Sequence, residues 1–221
     1  MRQIHGAAFV SLDGVMQAPG GLSEDPTEGF EHGGWLAPHF DAEIGQTIDT
    51  LFGRPFDLLL GRRTYDIFAS YWPYVGDEQA AIRDPFNACT KYVLTRGGAD
   101  LDWVNSAPLA DMAAVRALKA SDGPDLVIQG STTLYPQLLA EGLLDRLTLM
   151  IFPVVLGSGK RWFGGATPPR TLEPTHQQVT SGGNLIATYD VAGPVECLDV
   201  APPSTSAREA ARQEVMASGR W

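Results

Sequence analysis

Asp57-Leu58-Leu59-Leu60-Gly61-Arg62-Arg63-Thr64-Tyr65 has a counterpart downstream, Asp125-Leu126-Val127-Ile128-Gln129-Gly130-Ser131-Thr132-Thr133-Leu134-Tyr135. In each, an apolar run preceded by an aspartate ends on a glycine, and a polar helix start follows. Such a run reads as a buried strand feeding a helix. The first N–H groups of a helix have no intrahelical partner, and with the helix dipole they attract anions. A glycine at the junction lets a phosphate approach the backbone closely. Two such junctions in one chain point to a ligand with more than one phosphate, such as a dinucleotide.

The flanking sequence extends this pattern in both directions. An apolar run predicts a strand over 4–12, and a stretch rich in Gly, Pro, Asp, Glu and Ser predicts a long loop over 13–34. Loops of that length inside a compact domain are usually functional. Spacing at Phe40, Ile44, Ile48 and Leu51 predicts a helix over 40–52. Strand 56–60 and a helix near 62–71 follow, then a helix over 78–87 and a strand over 91–95 with a Gly97-Gly98 turn. Trp103-Val104 is a further strand candidate, and 109–120 has amphipathic spacing. After strand 126–129 comes a helix over 132–141, in which Pro136 fits only near the first turn. That places the helix start near Ser131 or Thr132, with free backbone donors at 130–133. A strand over 146–155 and a hairpin of 171–180 with 184–191 complete the set. Alternating strands and helices followed by a hairpin imply an α/β fold, parallel through the middle of the sheet and antiparallel at its C-terminal edge. Residues 1–193 form the expected domain. Residues 194–221 form a linker and tail with a surface helix near 207–216.

The 221 residues are 44% hydrophobic and 19% charged, enough for one well-buried domain plus a tail. No apolar stretch approaches the roughly 20 residues that span a bilayer, and the first residues do not resemble a signal peptide. The expected location is therefore cytoplasmic. A net charge of -10 argues against non-specific nucleic-acid binding. It also makes Arg62-Arg63 and the Lys91…Arg96 stretch stand out. Cys89 and Cys197 are expected to be free thiols, and the four histidines lack metal-ligand spacing.

Arginines at strand ends suit a ribose 2′-phosphate, which a guanidinium holds through charge-assisted, bidentate bonds. Arg62, Arg63 and the Thr95-Arg96 pair therefore favour NADP over NAD. Gly157-Ser158-Gly159-Lys160-Arg161 is not a phosphate loop, because Val154 and Arg161 stand where that motif needs Gly and Ser or Thr. Nor is it a Rossmann turn, with Trp162 at the third glycine position. Ser11 has no evident histidine partner for a hydrolase triad. Asp13, before Gly14 at the end of the first strand, is either turn chemistry or a carboxylate facing the cleft. Asp41, Glu43 and Asp49 are expected to be solvated or capping, and Trp35 and Trp72 belong to core or cleft.

These segments resemble, in order, those of the dihydrofolate reductase-like superfamily. The matching stretches are the first strand with Ser11-Leu12-Asp13-Gly14, Gly61-Arg62-Arg63-Thr64-Tyr65, Lys91-Tyr92-Val93-Leu94-Thr95-Arg96, Gly130-Ser131 with Leu134, and Pro153-Val154-Val155-Leu156-Gly157-Ser158-Gly159. The chain is most similar to the C-terminal reductase domain of bacterial bifunctional riboflavin-biosynthesis deaminase–reductases and its stand-alone relatives. The resemblance implies a three-layer α/β fold, NADPH, and hydride transfer to a pterin, a reduced pyrimidine or an open-chain sugar amine. It implies that Gly61, Arg62, Arg63, Thr64, Thr95 and Arg96 hold the adenosine-side phosphates. Gly130, Ser131 and Thr132, with Leu134 in the same motif, would hold the pyrophosphate. Phe9 and Met16 would border the nicotinamide, and Asp13 would face the substrate. Gln129-Gly130 departs from the paired glycines common at that position, and the zinc-bearing deaminase half has no counterpart here. Trp35…Pro38…Asp41 loosely resembles the acidic helix of dihydrofolate reductases.

The expectation is thus an NADPH-dependent reductase. Asp13 is the first choice of proton donor and Asp41 the second. Ser11, Asp13 and Trp35 would meet the substrate, the 13–34 loop would act as a lid, and the protein would be a homodimer. The rival is a non-catalytic NADP-binding or regulatory module on the same fold. A hydrolase or transferase is disfavoured for want of a nucleophile–base pair.

Overall fold

The computed structural model describes residues 1–97, 100–164, 167–200 and 204–219. The expected Gly97-Gly98 turn lies partly outside them. Strands β1 (Ile4–Ser11), β2 (Phe56–Gly61), β3 (Lys91–Leu94), β4 (Ser106–Leu109), β5 (Asp125–Gln129), β6 (Arg146–Phe152), β7 (Leu172–Val179) and β8 (Leu185–Val191) form one sheet. Their order is β4-β3-β2-β5-β1-β6-β8-β7. Every pairing from β4 to β6 is parallel, and β8 and β7 run antiparallel at the edge. All six residues of β2 are buried. Helices cover both faces of such a strand, so its sequence is a continuous apolar run rather than an alternation.

Helices α1 (Ala42–Phe52), α2 (Arg62–Ala69) and α3 (Ala80–Ala88) lie on one face. They pack Ile44, Ile48, Phe52, Tyr65 and Phe86 against Leu58, Leu60 and Val93. Helices α4 (Met112–Ala120) and α5 (Leu134–Ala140) cover the other face with Val115, Leu134, Tyr135, Leu138 and Leu139. On that side Gly6 has a steric task, since a Cβ there would lie 2.5 Å from a ring carbon of Tyr135. Its absence lets the Tyr135 hydroxyl reach the carbonyls of Ala7 and Ile128, at 3.1 and 3.3 Å. Helix α6 (Ala207–Ala217) buries no residue.

Several boundaries move from where the sequence puts them. Strand β4 begins at Ser106, and Trp103 is instead a buried residue whose amide donates to the Tyr65 hydroxyl oxygen at 2.9 Å. Helix α1 starts at Ala42 because Asp41 caps it, accepting from the Ile44 amide at 2.9 Å. Helix α4 starts at Met112, capped by Asp111 in the same way. The 13–34 segment is a loop containing one short 3₁₀ turn at Thr27–Gly29.

A buried ion pair ties the amino terminus to β2. Arg2 and Asp57 have side chains 2% and 10% exposed, and Asp57 also accepts from the Thr90 amide at 2.9 Å. Removing one partner leaves the other charge buried and uncompensated. Asp57→Ala is expected to cost about 3–5 kcal/mol in urea unfolding, whereas changing the exposed Asp84 to Ala should cost no more than about 0.5 kcal/mol.

Candidate functional site

Parallel pairing of β2 with β5 sets the site. Leu58 stands opposite Val127, so Gly61 and Gly130, each three residues further on, leave the sheet side by side. The Gly61 amide donates to Ser131 Oγ at 3.0 Å, and that hydroxyl donates to Thr64 Oγ1 at 2.9 Å. Gly130 and Ser131 both have left-handed backbone, at φ 81° and 65°. A Cβ on Gly130 would come within 3.2 Å of Thr64 Cγ2. Helix α5 consequently starts at Leu134, later than expected. Its amide donates to the Ser131 carbonyl at 2.9 Å, and Pro136 falls in the first turn. The stretch from Gly130 to Thr133 is a turn over the β5 end, not the start of the helix.

Both junctions open into one cleft of about 1660 Å³, beyond the roughly 300–1,000 Å³ typical of a single small-molecule pocket. It lies at the carboxyl ends of the parallel strands, where α/β sheets bind ligands. Gly61, Arg62, Arg63, Thr64, Thr95, Arg96, Gly130, Ser131, Thr132 and Leu134 all line it, and so do Phe9 and Met16. The structure therefore brings together every residue that sequence comparison had placed around the cofactor.

Two atoms on this wall test whether a dinucleotide fits. Arg62 Nη1 and Gln129 Oε1 are buried and have no hydrogen-bond partner among the described residues. The other edge of the Arg62 guanidinium is held by Asp66, with Nε at 2.8 and 3.0 Å from its two oxygens. A buried donor and a buried acceptor left open are costly unless a ligand completes them. A phosphate can accept from Arg62, and an amide or ribose hydroxyl can donate to Gln129. The residues present fit a phosphorylated dinucleotide.

The predicted acids are elsewhere. Asp13 does not line the cleft. Its carboxylate accepts from the amides of Leu156 and Gly157, at 3.1 and 2.9 Å, and from the Ser11 hydroxyl at 2.7 Å. Burial acts to raise its pKa, but these hydrogen bonds outweigh that and hold it at about 2. A carboxyl so bound carries no proton to give near neutral pH, so the assignment of Asp13 as acid and substrate contact is corrected. It fastens the turn after β6 to the end of β1. Asp41, the second choice, accepts from Thr180 Oγ1 at 2.5 Å and Asn184 Nδ2 at 2.7 Å besides capping α1. It joins α1 to the β7–β8 turn, and its pKa is lowered: burial opposes the shift and the hydrogen bonds prevail. Ser11 is 1% exposed and its Oγ accepts from the Val15 amide at 2.9 Å. Trp35 is 7% exposed, donates to the Gln17 carbonyl at 2.9 Å and meets Phe152 edge-on. Neither lines the cleft, and both support the loop from beneath. Gly159 also does loop-packing work, pressed against Val15 and Phe30. Lys91, part of the basic stretch in the sequence, is fully buried and caps α3 through the carbonyls of Phe86, Asn87 and Cys89 at 2.9–3.1 Å.

Glu24, Asp25, Glu78 and Asp111 line the cleft, and among them Glu24, in the long loop, has its pKa raised. Its Oε2 accepts from the amides of Gly20 and Gly21 at 2.7 and 3.0 Å. Burial raises its pKa, and the neighbouring Asp25 adds to the rise against those two hydrogen bonds. Asp25 is itself paired with Lys160 Nζ at 2.6 Å, and Gln17 bridges the carbonyls of Asp25 and Thr27 to the Lys160 amide. This clasp holds the loop against the cleft. Glu24 carries no sequence signal beyond its loop, because only the clasp places it.

The RibD C-terminal domain profile matches residues 2–186. The chain belongs to this family. It is 26% identical over 190 residues to the uncharacterized protein YyaP of Bacillus subtilis, covering 81% of this chain and 90% of that protein. Among solved structures it resembles a putative riboflavin biosynthesis protein from Shewanella sp. PV-4 (TM-score 0.59, 21% identity, 86% of this chain and 99% of that one). A pyrimidine reductase-like protein from Corynebacterium diphtheriae gives a TM-score of 0.56 at 16% identity, over 86% and 92% of the two chains. Dihydrofolate reductase from Enterococcus faecalis, complexed with NADP(H) and RAB-propyl, gives 0.53 at 14% identity, over 86% and 96%. The fold is dihydrofolate reductase-like, a reductase-type architecture, with the parallel sheet and antiparallel edge read from the sequence.

The paired turns give a differential expectation. Gly130→Ala forces a side chain into left-handed backbone and against Thr64, and should lose about 1–2 kcal/mol in chemical denaturation. Gly61→Ala, whose Cβ would meet Ser131 Oγ at an ordinary 3.5 Å, should stay within about 0.5 kcal/mol of the parent.

Proposed function

We propose that the protein is an NADPH-dependent oxidoreductase that reduces a small ring compound of pterin, pyrimidine or riboflavin-precursor type. The observation that carries this reading is the meeting of two glycine turns and three arginines in one cleft, beside the open Arg62 Nη1 and Gln129 Oε1. Arg62, Arg63 and Arg96, with Thr64 and Thr95, would hold the 2′-phosphate end through charge-assisted bonds. The Gly130–Thr132 turn would hold the pyrophosphate, and Phe9 and Met16 would flank the nicotinamide. When bound, the reduced nicotinamide supplies a hydride. Residues 1–193 constitute the reductase domain in this reading and 194–221 a tail. The protein is cytoplasmic and a homodimer; the exposed edge strand β7 offers a surface for a second copy.

Reduction of a ring C=N or C=C bond also consumes a proton. Glu24 Oε1 is the position from which this chain would deliver it, since Oε2 is engaged by Gly20 and Gly21. Its raised pKa keeps a larger share of the carboxyl protonated near neutral pH. The clasp of Asp25, Thr27, Gln17 and Lys160 positions the loop that carries it. A binding or regulatory module without turnover draws support from the placement of Asp13 and Asp41 away from the cleft; Glu24 is the counterweight.

Tryptophan fluorescence titration tests the cofactor. NADPH should bind with micromolar affinity and NADH about tenfold more weakly. Arg62→Ala and Arg96→Ala should erase most of that preference, and equal failure of both nucleotides to bind would remove the reading. The proton path has its own signature. The acid form of Glu24 is the active one, so the rate should be flat at low pH and fall as pH rises through the raised pKa. Glu24→Gln should lower the rate about 10²-fold or more and abolish that limb. A parent rate with no such limb removes Glu24 as the proton donor, whereas NADPH binding without any turnover points to the non-catalytic module.

A further inference from the structure

The cleft has two ends of opposite character. Helix α2 runs along it, and at about 1.5 Å per residue its eight residues span roughly 12 Å. At its start stand Arg62 and Arg63, close to Arg96 at the end of β3. Beyond its other end the lining turns aromatic: Phe52 from α1, Phe68 from α2, Tyr71 and Trp72 just after it, and Phe86 from α3. These rings form one cluster. Phe68 stacks on Phe86 at 5.8 Å between centroids, Trp72 meets Phe86 edge-on at 5.1 Å and Phe52 meets Phe86 at 4.9 Å. Tyr71 is 48% exposed and leaves a ring open to a ligand.

The distribution of charge in this cleft is one-sided. Among the described residues, the one cationic lining residue besides the three arginines is Lys160, whose Nζ is paired with Asp25 at 2.6 Å and bonded to Thr27 Oγ1 at 2.5 Å. The other charged residues described in the lining are the carboxylates Glu24, Asp25, Glu78 and Asp111. A phosphate monoester placed among the rings would find no unpaired cation among the described lining residues, in a chain of net charge -10. Burying an unpaired anion is strongly unfavourable. A planar uncharged ring, by contrast, gains stacking and edge contacts there. The volume of about 1660 Å³ leaves room for such a molecule beside a dinucleotide.

We propose that the compound bound in the aromatic lobe, and reduced there, is a planar ring without a phosphate group. This rests on the reductase reading and narrows it: a phosphorylated sugar amine is excluded, and an unphosphorylated pterin-like or flavin-like ring is selected. Tyr71 and Trp72 are the specificity-determining side chains, and the absence of a free cation in the lobe is the filter.

Two matched pairs of probes test this, riboflavin against riboflavin 5′-phosphate and neopterin against its phosphate. Binding is measured by calorimetry on the full chain, alone and saturated with NADPH. In each pair the unphosphorylated member should bind at least about tenfold more tightly. Trp72→Ala should weaken it about tenfold, with NADPH affinity, titrated separately, unchanged. Tyr71→Ala, at a half-exposed position, should weaken it several-fold and guards against a folding defect in the first variant. Equal or tighter binding of the phosphorylated members, binding of none of the four, or indifference to both substitutions overturns the proposal. Ring binding without any NADPH binding sinks the reductase reading and leaves the ring-binding lobe standing.

Discussion

The site depends on the lateral pairing of β2 with β5. These strands are separated in sequence by β3, β4 and the helices α2, α3 and α4, yet they are hydrogen-bonded neighbours with Leu58 opposite Val127. A slip of one residue would turn every side chain of a strand to the opposite face. It would also part the Gly61 and Gly130 turns. The Gly61 amide, Ser131 hydroxyl and Thr64 hydroxyl close the seam with two hydrogen bonds. They fix a left-handed serine that would otherwise be disfavoured. The cleft, the arginines around it and the aromatic lobe all take their positions from that seam.

Carboxylates show how environment assigns a task to a common residue. Asp13, Asp41 and Glu24 all lie in or beside the long loop. Asp13 and Asp41 are saturated by donors, which hold them ionised and make them fasteners between distant segments. Glu24 receives two amides on one oxygen only, and its burial favours the protonated form. A group that must release and regain a proton cannot be one whose lone pairs are all engaged. The functional acid is therefore better sought among incompletely satisfied carboxyls than among those nearest a motif.

The same logic bears on the charge of the cleft. The chain carries a net charge of -10, while Arg62, Arg63 and Arg96 bring three positive charges to the wall of this cleft. Elsewhere in the cleft the one lysine is neutralised by Asp25. Selectivity follows from where positive charge is withheld as much as from where it is supplied.

The α/β class, the mixed sheet and the two strand–glycine–helix junctions were legible from residue order alone. Those depend on local spacing of apolar residues and on glycine and proline, whose backbone preferences act within a few positions. Residue order also marked the residues from Gly61 to Thr64 and from Gly130 to Leu134, because they adjoin those junctions. Tertiary packing brings the junctions to one cleft, makes Lys91 a buried cap and Asp13 and Asp41 fasteners, and sets Glu24 and the rings after α2 in the cleft lining. Each of those outcomes depends on contacts between segments far apart in the chain. The partner that saturates a carboxylate or neutralises a lysine is chosen by packing, and local sequence does not encode it.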